Sequence, residues 1–339
     1  MKVLFTAVFV WAFAAIAAAQ QTHVLVVTGL GGDSVYTEQF HAWATTLMGA
    51  ATARYEVPED NVTYLGEKPD LDADTIADRS TRENIETAVE VIAGRAAPGD
   101  HVVIVLFGHG SFTDSARINL PGRDLSADDF AALLDRLRSQ RVTFVNTASA
   151  SGPFVEKLSG EGRLVVTATR NGRERNASVF GGYFVEAFAN GEEEADENKD
   201  RRVSMLEAYS YAQQKVVREY EADGKLLTEH ALLDDNGDGE GTNELDPLTG
   251  DGLIARSLFF TGGVDAATAA MAFPNDPKLR PLYDERQALE ERVEALRLIK
   301  DGTDPERYEK ELEALLVELV LKSREIRQLE AAKAEPGLR

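Results

Sequence analysis

Runs of consecutive apolar residues, many of them β-branched, alternate along the chain with segments in which apolar residues recur every three or four positions. The apolar runs cover residues 23–28, 62–65, 101–107, 142–146, 163–168 and 254–261. The periodic segments cover residues 37–53, 81–94 and 127–138. Continuous apolar runs are typical of strands buried on both faces, and the helical period is typical of helices that cover a sheet. The order predicts an α/β fold, a three-layer sandwich with a mostly parallel central sheet.

The second periodic segment also carries a start signal. Ser80 precedes it and Thr81 is its first residue, and either hydroxyl would cap the first turn of a helix over 81–94. The α/β pattern as a whole spans residues 21–265.

The N-terminus has a different pattern. Lys2 leads an apolar run from Val3 to Ala18, which is followed by Ala19 and Gln20. A basic residue, an apolar stretch and small residues at its end predict a signal peptide over residues 1–20 with cleavage near Ala19. The alternative is a retained membrane anchor, for which this run is slightly short. We therefore expect a periplasmic or secreted protein with no stable membrane span after cleavage.

The C-terminal region is charged and helical in its pattern. The composition changes at residues 274–277, and the sequence predicts a helical hairpin over 275–335 that is interrupted at residues 301–305. One apolar stripe consists of Leu282, Leu289, Val293, Leu296 and Ile299, and the other of Tyr308, Leu312, Leu315, Leu316, Leu319 and Ile326. The stripes predict that the two arms pack on each other, or that they form a coiled coil with a partner or with a second copy.

Charge and cysteine content exclude several classes of protein. The formal net charge is −22, from 58 acidic and 36 basic residues, which opposes binding to a nucleic-acid backbone. The chain contains no cysteine. It therefore has no disulfide, no thiolate metal site and no cysteine nucleophile.

Candidate chemistry follows two neighbouring apolar runs. The first run continues into FGHGS, which places His109 and Gly110 just past a strand, and the next continues into NTASASG at residues 146–152. The carboxyl ends of adjacent parallel strands meet at one crevice, where binding sites form. The sequence therefore predicts that a histidine faces a hydroxyl-rich turn at this crevice.

These motifs resemble those of the legumain family of caspase-fold cysteine peptidases, over about Val24 to Thr242. FGHGS resembles the family's histidine-glycine motif, residues 119–121 and 124–125 its connecting segment, and LVVTATRNGRERN the strand and loop after the nucleophile. TASASG stands where the family has its cysteine turn, so that Ser149 occupies the cysteine position. The resemblance implies that His109 is the general base and that the backbone amides of Gly110 and Ser149 are oxyanion donors.

The replacement of cysteine by serine leaves three hypotheses. A thiol, with a pKa of about 8.5, yields some thiolate at neutral pH, whereas a serine hydroxyl needs a well-aligned base during attack. The favoured hypothesis is a pseudopeptidase whose crevice binds a peptide or protein ligand or acts as a scaffold. The alternative is a peptide hydrolase in which His109 activates Ser149 or, failing that, Thr147 or Ser151. The third is a purely structural envelope protein.

A second departure concerns substrate recognition. In the first strand's loop, where the family carries an arginine-histidine pair that helps recognise asparagine, alignment on Tyr36 places Thr37 and Glu38. Inherited asparagine specificity is therefore not expected.

Two acidic segments have the spacing of calcium loops. The window 196–207 places side-chain oxygens at positions 1, 3, 5, 9 and 12, namely those of Asp196, Asn198, Asp200, Ser204 and Glu207. The window 234–245 repeats the first three positions with Asp234, Asn236 and Asp238 and has Gly239 at position 6, but Leu245 stands at position 12. The sequence predicts Ca²⁺ at these loops. The alternatives are a solvated linker with a helix cap in the first and, by resemblance to related sequences, a crevice rim in the second.

Overall fold

A seven-stranded sheet forms the centre of the protein, and a three-stranded sheet lies beside it. The computed structural model describes residues 20–198, 202–245, 250–260, 278–298 and 304–334. The predicted signal peptide therefore lies, apart from Gln20, outside the described residues.

Ten strands make up the two sheets. Their bounds are β1 Thr22–Thr28, β2 Val62–Gly66, β3 Asp78–Arg79, β4 His101–Phe107, β5 Gly110–Phe112, β6 Ala116–Ile118, β7 Leu125–Ser126, β8 Arg141–Asn146, β9 Arg163–Thr167 and β10 Leu232–Asp234. The large sheet has the order β10-β9-β8-β4-β1-β2-β3, and the small sheet has the order β5-β6-β7. All pairs of the large sheet are parallel except β9 with β10, which is antiparallel.

The helices within the described residues are α1 Ser34–Gly49, α2 Arg82–Arg95, α3 Ala127–Leu134, α4 Phe154–Leu158, α5 Phe180–Ala189, α6 Glu192–Ala195, α7 Met205–Ala222, α8 Leu279–Leu298 and α9 Pro305–Ala334. A π-helical stretch, Ala50–Arg54, continues α1. None of these helices is both long and apolar enough to cross a membrane.

Alternate residues of the central strands feed two separate cores. Val24 and Val26 of β1 pack in one apolar cluster with residues of α1, α5 and α7. Leu25 and Val27 pack in the other with residues of α2, α3 and α4. Because successive side chains of a strand point to opposite faces, the helices cover both faces of the sheet. The predicted αβα sandwich with a mostly parallel sheet is confirmed.

The structure differs from the sequence prediction at the end of one helix and at one predicted strand. Helix α3 ends at Leu134 rather than Arg138, because the chain turns tightly there and Leu137 donates its amide to the Leu134 carbonyl at 2.9 Å. Residues 254–260 do not form a strand but contain the 3₁₀ helix Ala255–Ser257. The carboxylate of Asp235 accepts the amides of Ile254 and Ala255 at 2.9 and 2.7 Å, which holds this segment in a turn.

The capping prediction for α2 is resolved in favour of Thr81. Its Oγ1 accepts the amide of Asn84 at 3.3 Å. Ser80 instead donates its hydroxyl to the Thr28 carbonyl at 2.6 Å, which ties the start of the helix to the end of β1.

Helices α8 and α9 form a hairpin whose arms contact each other. Its buried apolar cluster consists of Leu289, Val293, Leu296, Leu315 and Leu319. Lys322 on α9 pairs with Glu285 on α8 at 2.6 Å. Pro305 opens α9, the position at which its missing amide costs no hydrogen bond. Ile299 of the predicted stripe lies outside the described residues.

Candidate active site

The carboxyl ends of β4 and β8 bring the predicted site residues together. The two strands are parallel neighbours, and Leu106 lies opposite Asn146 in their register. His109 and Gly110 follow β4, and residues 147–152 follow β8. The two segments therefore meet at one edge of the sheet, as expected for a site at strand ends.

Gly110 and Ser149 are in direct contact. Ser149 Oγ accepts the Gly110 amide at 3.1 Å and donates to the Gly110 carbonyl at 3.3 Å. Ser149 is buried, with 3% of its surface exposed. A Cβ added to Gly110 would lie 2.1 Å from the Ser149 carbonyl oxygen, so only glycine permits this approach.

His109 lies against aromatic rings. Its ring centroid is 4.6 Å from that of Tyr36 and 5.3 Å from that of Phe40, both in edge-on geometry. Burial lowers the pKa of His109, and a hydrogen bond to the backbone of Gly31 opposes that shift. The imidazole is therefore mostly neutral at neutral pH. Among the hydrogen bonds of the described residues there is none between His109 and Ser149.

The other two hydroxyls of the turn are occupied. Thr147 Oγ1 donates to the Leu106 carbonyl at 2.8 Å, and Ser151 Oγ lies 3.1 Å from Thr169 Oγ1. Both residues are buried. These bonds make Thr147 and Ser151 elements of the turn's framework.

The backbone of the turn is strained at Ala150, whose φ of 56° lies in the left-handed region. A non-glycine residue there costs about 1 kcal/mol or more. The Ala150 amide donates to the Glu174 carbonyl at 2.7 Å, and this bond helps to hold the strained conformation.

Three further residues, Asn146, Glu174 and His230, support the turn, and the sequence analysis did not assign them to the site. Asn146 Oδ1 accepts the Ala148 amide at 3.0 Å, while its Nδ2 is buried without a hydrogen-bond partner among the described residues. The carboxylate of Glu174 contacts His230 Nδ1 at 2.6 Å. His230 belongs to the TEHALLDDNGDG segment, so a local pattern pointed to the segment. The contact with Glu174 joins residues 56 apart in sequence and has no local pattern.

The residues at the family's asparagine-recognition positions have other contacts. Thr37 Oγ1 donates to Glu67 Oε2 at 2.8 Å, and Glu67 Oε2 also accepts the Gly31 amide at 3.2 Å. Glu38 is exposed on α1. Thr37 thus helps to fix the Gly31 loop that touches His109.

In the first acidic loop, the candidate calcium ligand at position 12, Glu207, also caps a helix. Glu207 Oε2 accepts the amide and the hydroxyl of Ser204, both at 2.8 Å, and Ser204 Oγ accepts the Glu207 amide at 3.2 Å. Glu207 Oε1 accepts the amides of Glu197 and Asn198 at 3.1 and 3.3 Å. This capping box begins α7. Asp196 is buried, and Asp200 lies outside the described residues.

In the second acidic loop, the candidate ligands accept backbone amides of the loop. Asp234 is fully buried and accepts the amides of Gly237 and Gly239 at 3.2 and 3.0 Å. Asn236 Oδ1 accepts the Asp238 amide at 2.8 Å. Within the described residues, no group of three acidic or histidine side chains is arranged to hold a metal ion. Calcium binding stays a prediction.

The structure places His109 and Ser149 after neighbouring strands of a sheet that helices cover on both faces. This is the arrangement that the resemblance to caspase-fold peptidases predicts. Residues 51–232 match the model of the peptidase C13 family. The match spans more than half of the 339 residues, and the chain belongs to this family. The predicted legumain-like membership is confirmed.

Comparison with solved structures gives more remote likenesses. A protein of Geobacter sulfurreducens is 14% identical, with a TM-score of 0.44, over 71% of this chain and 99% of that protein. Caspase-1 of Spodoptera frugiperda is 10% identical, with a TM-score of 0.41, over 64% of this chain and 87% of that one. No curated protein matches the chain.

Proposed function

We propose that the protein is an exported pseudopeptidase of the C13 family whose crevice binds a peptide or protein segment without cleaving it. The observation that carries the proposal is the pair of hydrogen bonds between Ser149 Oγ and the backbone of Gly110. The hydroxyl proton is directed to a carbonyl oxygen, and the lone pair faces an amide.

This arrangement opposes serine catalysis in two ways. A nucleophilic hydroxyl must donate its proton to the base, and the hydroxyl of Ser149 donates to the Gly110 carbonyl instead. An oxyanion hole needs free donors, and the Gly110 amide already donates to Ser149 Oγ. Both bonds would have to break before attack, each at a net cost of about 0.5–1.5 kcal/mol.

A serine hydrolase is the second candidate, and His109 is the observation that favours it. Its lowered pKa leaves the imidazole neutral, the form that a general base requires. A rotation of the Ser149 side chain away from Gly110 would free both the hydroxyl and the amide.

Hydrolysis of a mixed library of quenched peptides separates the two candidates. The mature wild-type chain is compared with Ser149→Ala and His109→Ala, with and without calcium, after each protein is shown to be folded by circular dichroism. We expect the same background rate for all three. A wild-type rate that both substitutions abolish would overturn the pseudopeptidase proposal and establish a serine dyad.

Export rests on the N-terminal sequence and is proposed separately. The mature protein isolated from its host should begin near Gln20, which N-terminal sequencing or intact mass measurement tests. A retained N-terminus in a membrane fraction would instead support the anchor.

Self-association through the hairpin is a further proposal, and it is supported by the outer surface of α9. Val317 and Leu321 are 52% and 58% exposed, and Val320 lies beside them at 38%. Suppose that two α9 helices pack antiparallel and cross between residues 318 and 319. Val317 of one copy then faces Val320 of the other. Glu313 faces Arg324 in the same register, because this pair has the same midpoint. Neither Glu313 nor Arg324 makes an ion pair among the described side chains. A second copy of α9 would therefore match this surface in its apolar positions and in its charges.

A further inference from the structure

The rim of the crevice is basic, although the chain as a whole is strongly acidic. The net charge is −22, yet the two segments 110–117 and 170–175 together carry four arginines and two carboxylates. The arginines are Arg117, Arg170, Arg173 and Arg175, and the carboxylates are Asp114 and Glu174. These segments are referred to below as the arginine rim.

The arginine rim is attached to the turn that carries Ser149. The Glu174 carbonyl accepts the amide of Ala150 at 2.7 Å. A Cβ added to Gly152 would lie 2.2 Å from the carbonyl carbon of Arg170, so the two chains are in close backbone contact. The loop 170–175 therefore borders the turn along its length.

The other side of the rim adjoins Gly110. The ring of Phe112 in β5 packs against Gly172, where an added Cβ would lie 2.2 Å from the ring. Arg175 crosses the same junction, since its guanidinium donates to the Phe112 carbonyl at 2.9 Å. Arg117 lies opposite Ser111 in the register of β5 and β6. The rim thus surrounds the contact between Gly110 and Ser149 on two sides.

One of the two carboxylates of the rim is not available to a ligand. The side chain of Glu174 is 10% exposed, and it lies 3.4 Å from Arg170 and 2.6 Å from His230. It also accepts the amides of Arg170 and His230 at 3.0 and 3.2 Å. The carboxylate of Glu174 is therefore occupied by contacts within the protein, while the side chain of Arg170 is exposed.

Two arginines of the rim face solvent without a carboxylate. Arg173 is exposed, and among the described residues its guanidinium makes neither an ion pair nor a hydrogen bond. Arg175 is exposed, and within the described part of the chain its guanidinium bonds only to the carbonyls of Gly172 and Phe112. Arg117 pairs with Asp114, which is 77% exposed and could be displaced by a ligand carboxylate.

We propose that the crevice recognises an acidic peptide segment, with Arg173 and Arg175 as its specificity-determining contacts. The inference rests on the proposed binding function and names the class of ligand. Guanidinium groups match carboxylates with two parallel hydrogen bonds, and a basic patch on an acidic protein concentrates anionic ligands at that one place. Elsewhere the net charge repels an acidic chain, so binding is directed to the crevice.

The test begins with selection of phage-displayed random dodecapeptides on the folded mature chain. Selection is repeated on Arg173→Glu and on the control Arg141→Glu, which has the same change of charge. Arg141 is exposed at the first residue of β8, at the opposite end of the strand from the site, and its side chain has no ion pair among the described residues. Selected peptides are then synthesised in two forms, with Asp and Glu or with Asn and Gln at the same positions, and are titrated by fluorescence anisotropy.

We expect the selected peptides to be rich in Asp and Glu, and the acidic form to bind about tenfold or more tightly than the amide form. Arg173→Glu should weaken binding of the acidic form by about fivefold or more, while Arg141→Glu leaves it within a factor of about two. Arg173→Gln, which changes only one charge, should have an intermediate effect.

Three outcomes would overturn the inference. If the selected peptides are neutral, or if the acidic and amide forms bind equally, the crevice binds peptides without charge recognition, and the proposed function stands alone. If Arg141→Glu weakens binding as much as Arg173→Glu, the attraction is a property of the total charge. If no peptide is enriched on the folded chain, both the inference and the binding function fail.

Discussion

The hydroxyl of Ser149 is joined to the backbone of Gly110 by two hydrogen bonds, at 3.1 Å to the amide and 3.3 Å to the carbonyl. The residue that the family resemblance assigns as an oxyanion donor therefore holds the side chain at the nucleophile position. A cysteine at the same place would bond more weakly to both groups, because sulfur is a poor hydrogen-bond partner. The change from sulfur to oxygen thus alters the oxyanion site as well as the nucleophile.

This relationship predicts that Ser149→Cys restores peptide hydrolysis. A thiol can transfer its proton to His109 before attack, so the thiolate is formed in advance, and a weakly bonded sulfur leaves the Gly110 amide free. We expect a rate at least about tenfold above that of the wild type on a quenched peptide library. The double variant Ser149→Cys, His109→Ala serves as the control and should remain at background. An inactive Ser149→Cys protein that is folded would mean that the crevice has lost more than its nucleophile.

Gly110→Ala should destabilise the protein by about 3 kcal/mol or more, because the new methyl group would overlap the Ser149 carbonyl oxygen. Gly94→Ala is the matched control, since Gly94 is exposed near the end of α2 with nothing within 4 Å of an added Cβ. It should be neutral or stabilising by up to about 1 kcal/mol. Urea unfolding of both variants tests the pair, and equal stabilities would contradict the close contact.

Calcium should raise the melting temperature if the acidic loops bind it. Binding at a concentration 100 times the dissociation constant stabilises the folded state by about 2.7 kcal/mol. Asp238→Asn should reduce the rise by the share of the second loop without changing the stability in a chelator, because Asp238 is an exposed loop residue whose side chain accepts only the Glu240 amide among the described residues. Calorimetry with millimolar calcium or with chelator is the measurement, and an unchanged melting temperature in the wild type would exclude calcium binding.

Glu229 predicts a pH dependence of stability. Its carboxylate is buried and accepts the amides of Val179 and Phe180 at the start of α5. Burial raises the pKa of Glu229 above its ordinary value of 4.5, against the lowering effect of its hydrogen bonds. A raised pKa means that the folded state binds the proton more tightly, so the stability from this group is complete below pH 4.5 and is lost as the pH rises through the folded value.

The measurement for Glu229 is urea unfolding of the wild type and of Glu229→Gln between pH 4 and 8. Because glutamine does not titrate, the difference in unfolding free energy between wild type and variant should fall as the pH rises. A difference that is constant or increases with pH would contradict the raised pKa.

The outer surface of α9 predicts a concentration-dependent dimer. Val317→Glu with Leu321→Glu should shift the sedimentation coefficient to that of a monomer without changing the unfolding free energy by more than about 0.5 kcal/mol, since both side chains are exposed. Charge reversal tests the register. Glu313→Arg alone should weaken the dimer, and addition of Arg324→Glu should restore it. A wild type that is monomeric at all concentrations would contradict the pairing.

The sequence predicted five strands of the central sheet, β1, β2, β4, β8 and β9, because they are continuous apolar runs. Residues 101–107 of β4, for example, are all buried, and a short run rich in β-branched residues and followed by glycine is typical of a buried strand. The strands β3, β5, β6, β7 and β10 have two or three residues each, too few for a period, and were not predicted.

The supports of the site were harder to foresee than its two principal residues. His109 and Ser149 follow long strands and carry recognisable motifs. Glu174 and His230 lie in segments that local patterns single out, but their contact joins residues 56 apart in sequence and has no local signal. The strain at Ala150 is likewise invisible in the sequence, because alanine is compatible with almost any element.

The edges of the large sheet have a consequence for aggregation. One edge strand, β3, has two residues, and the other, β10, has three and runs against its neighbour. Neither offers a row of free amides and carbonyls long enough for a foreign strand to add, which is the usual route to fibrous aggregates. A sheet with such short edge strands therefore resists joining to other sheets by its own geometry.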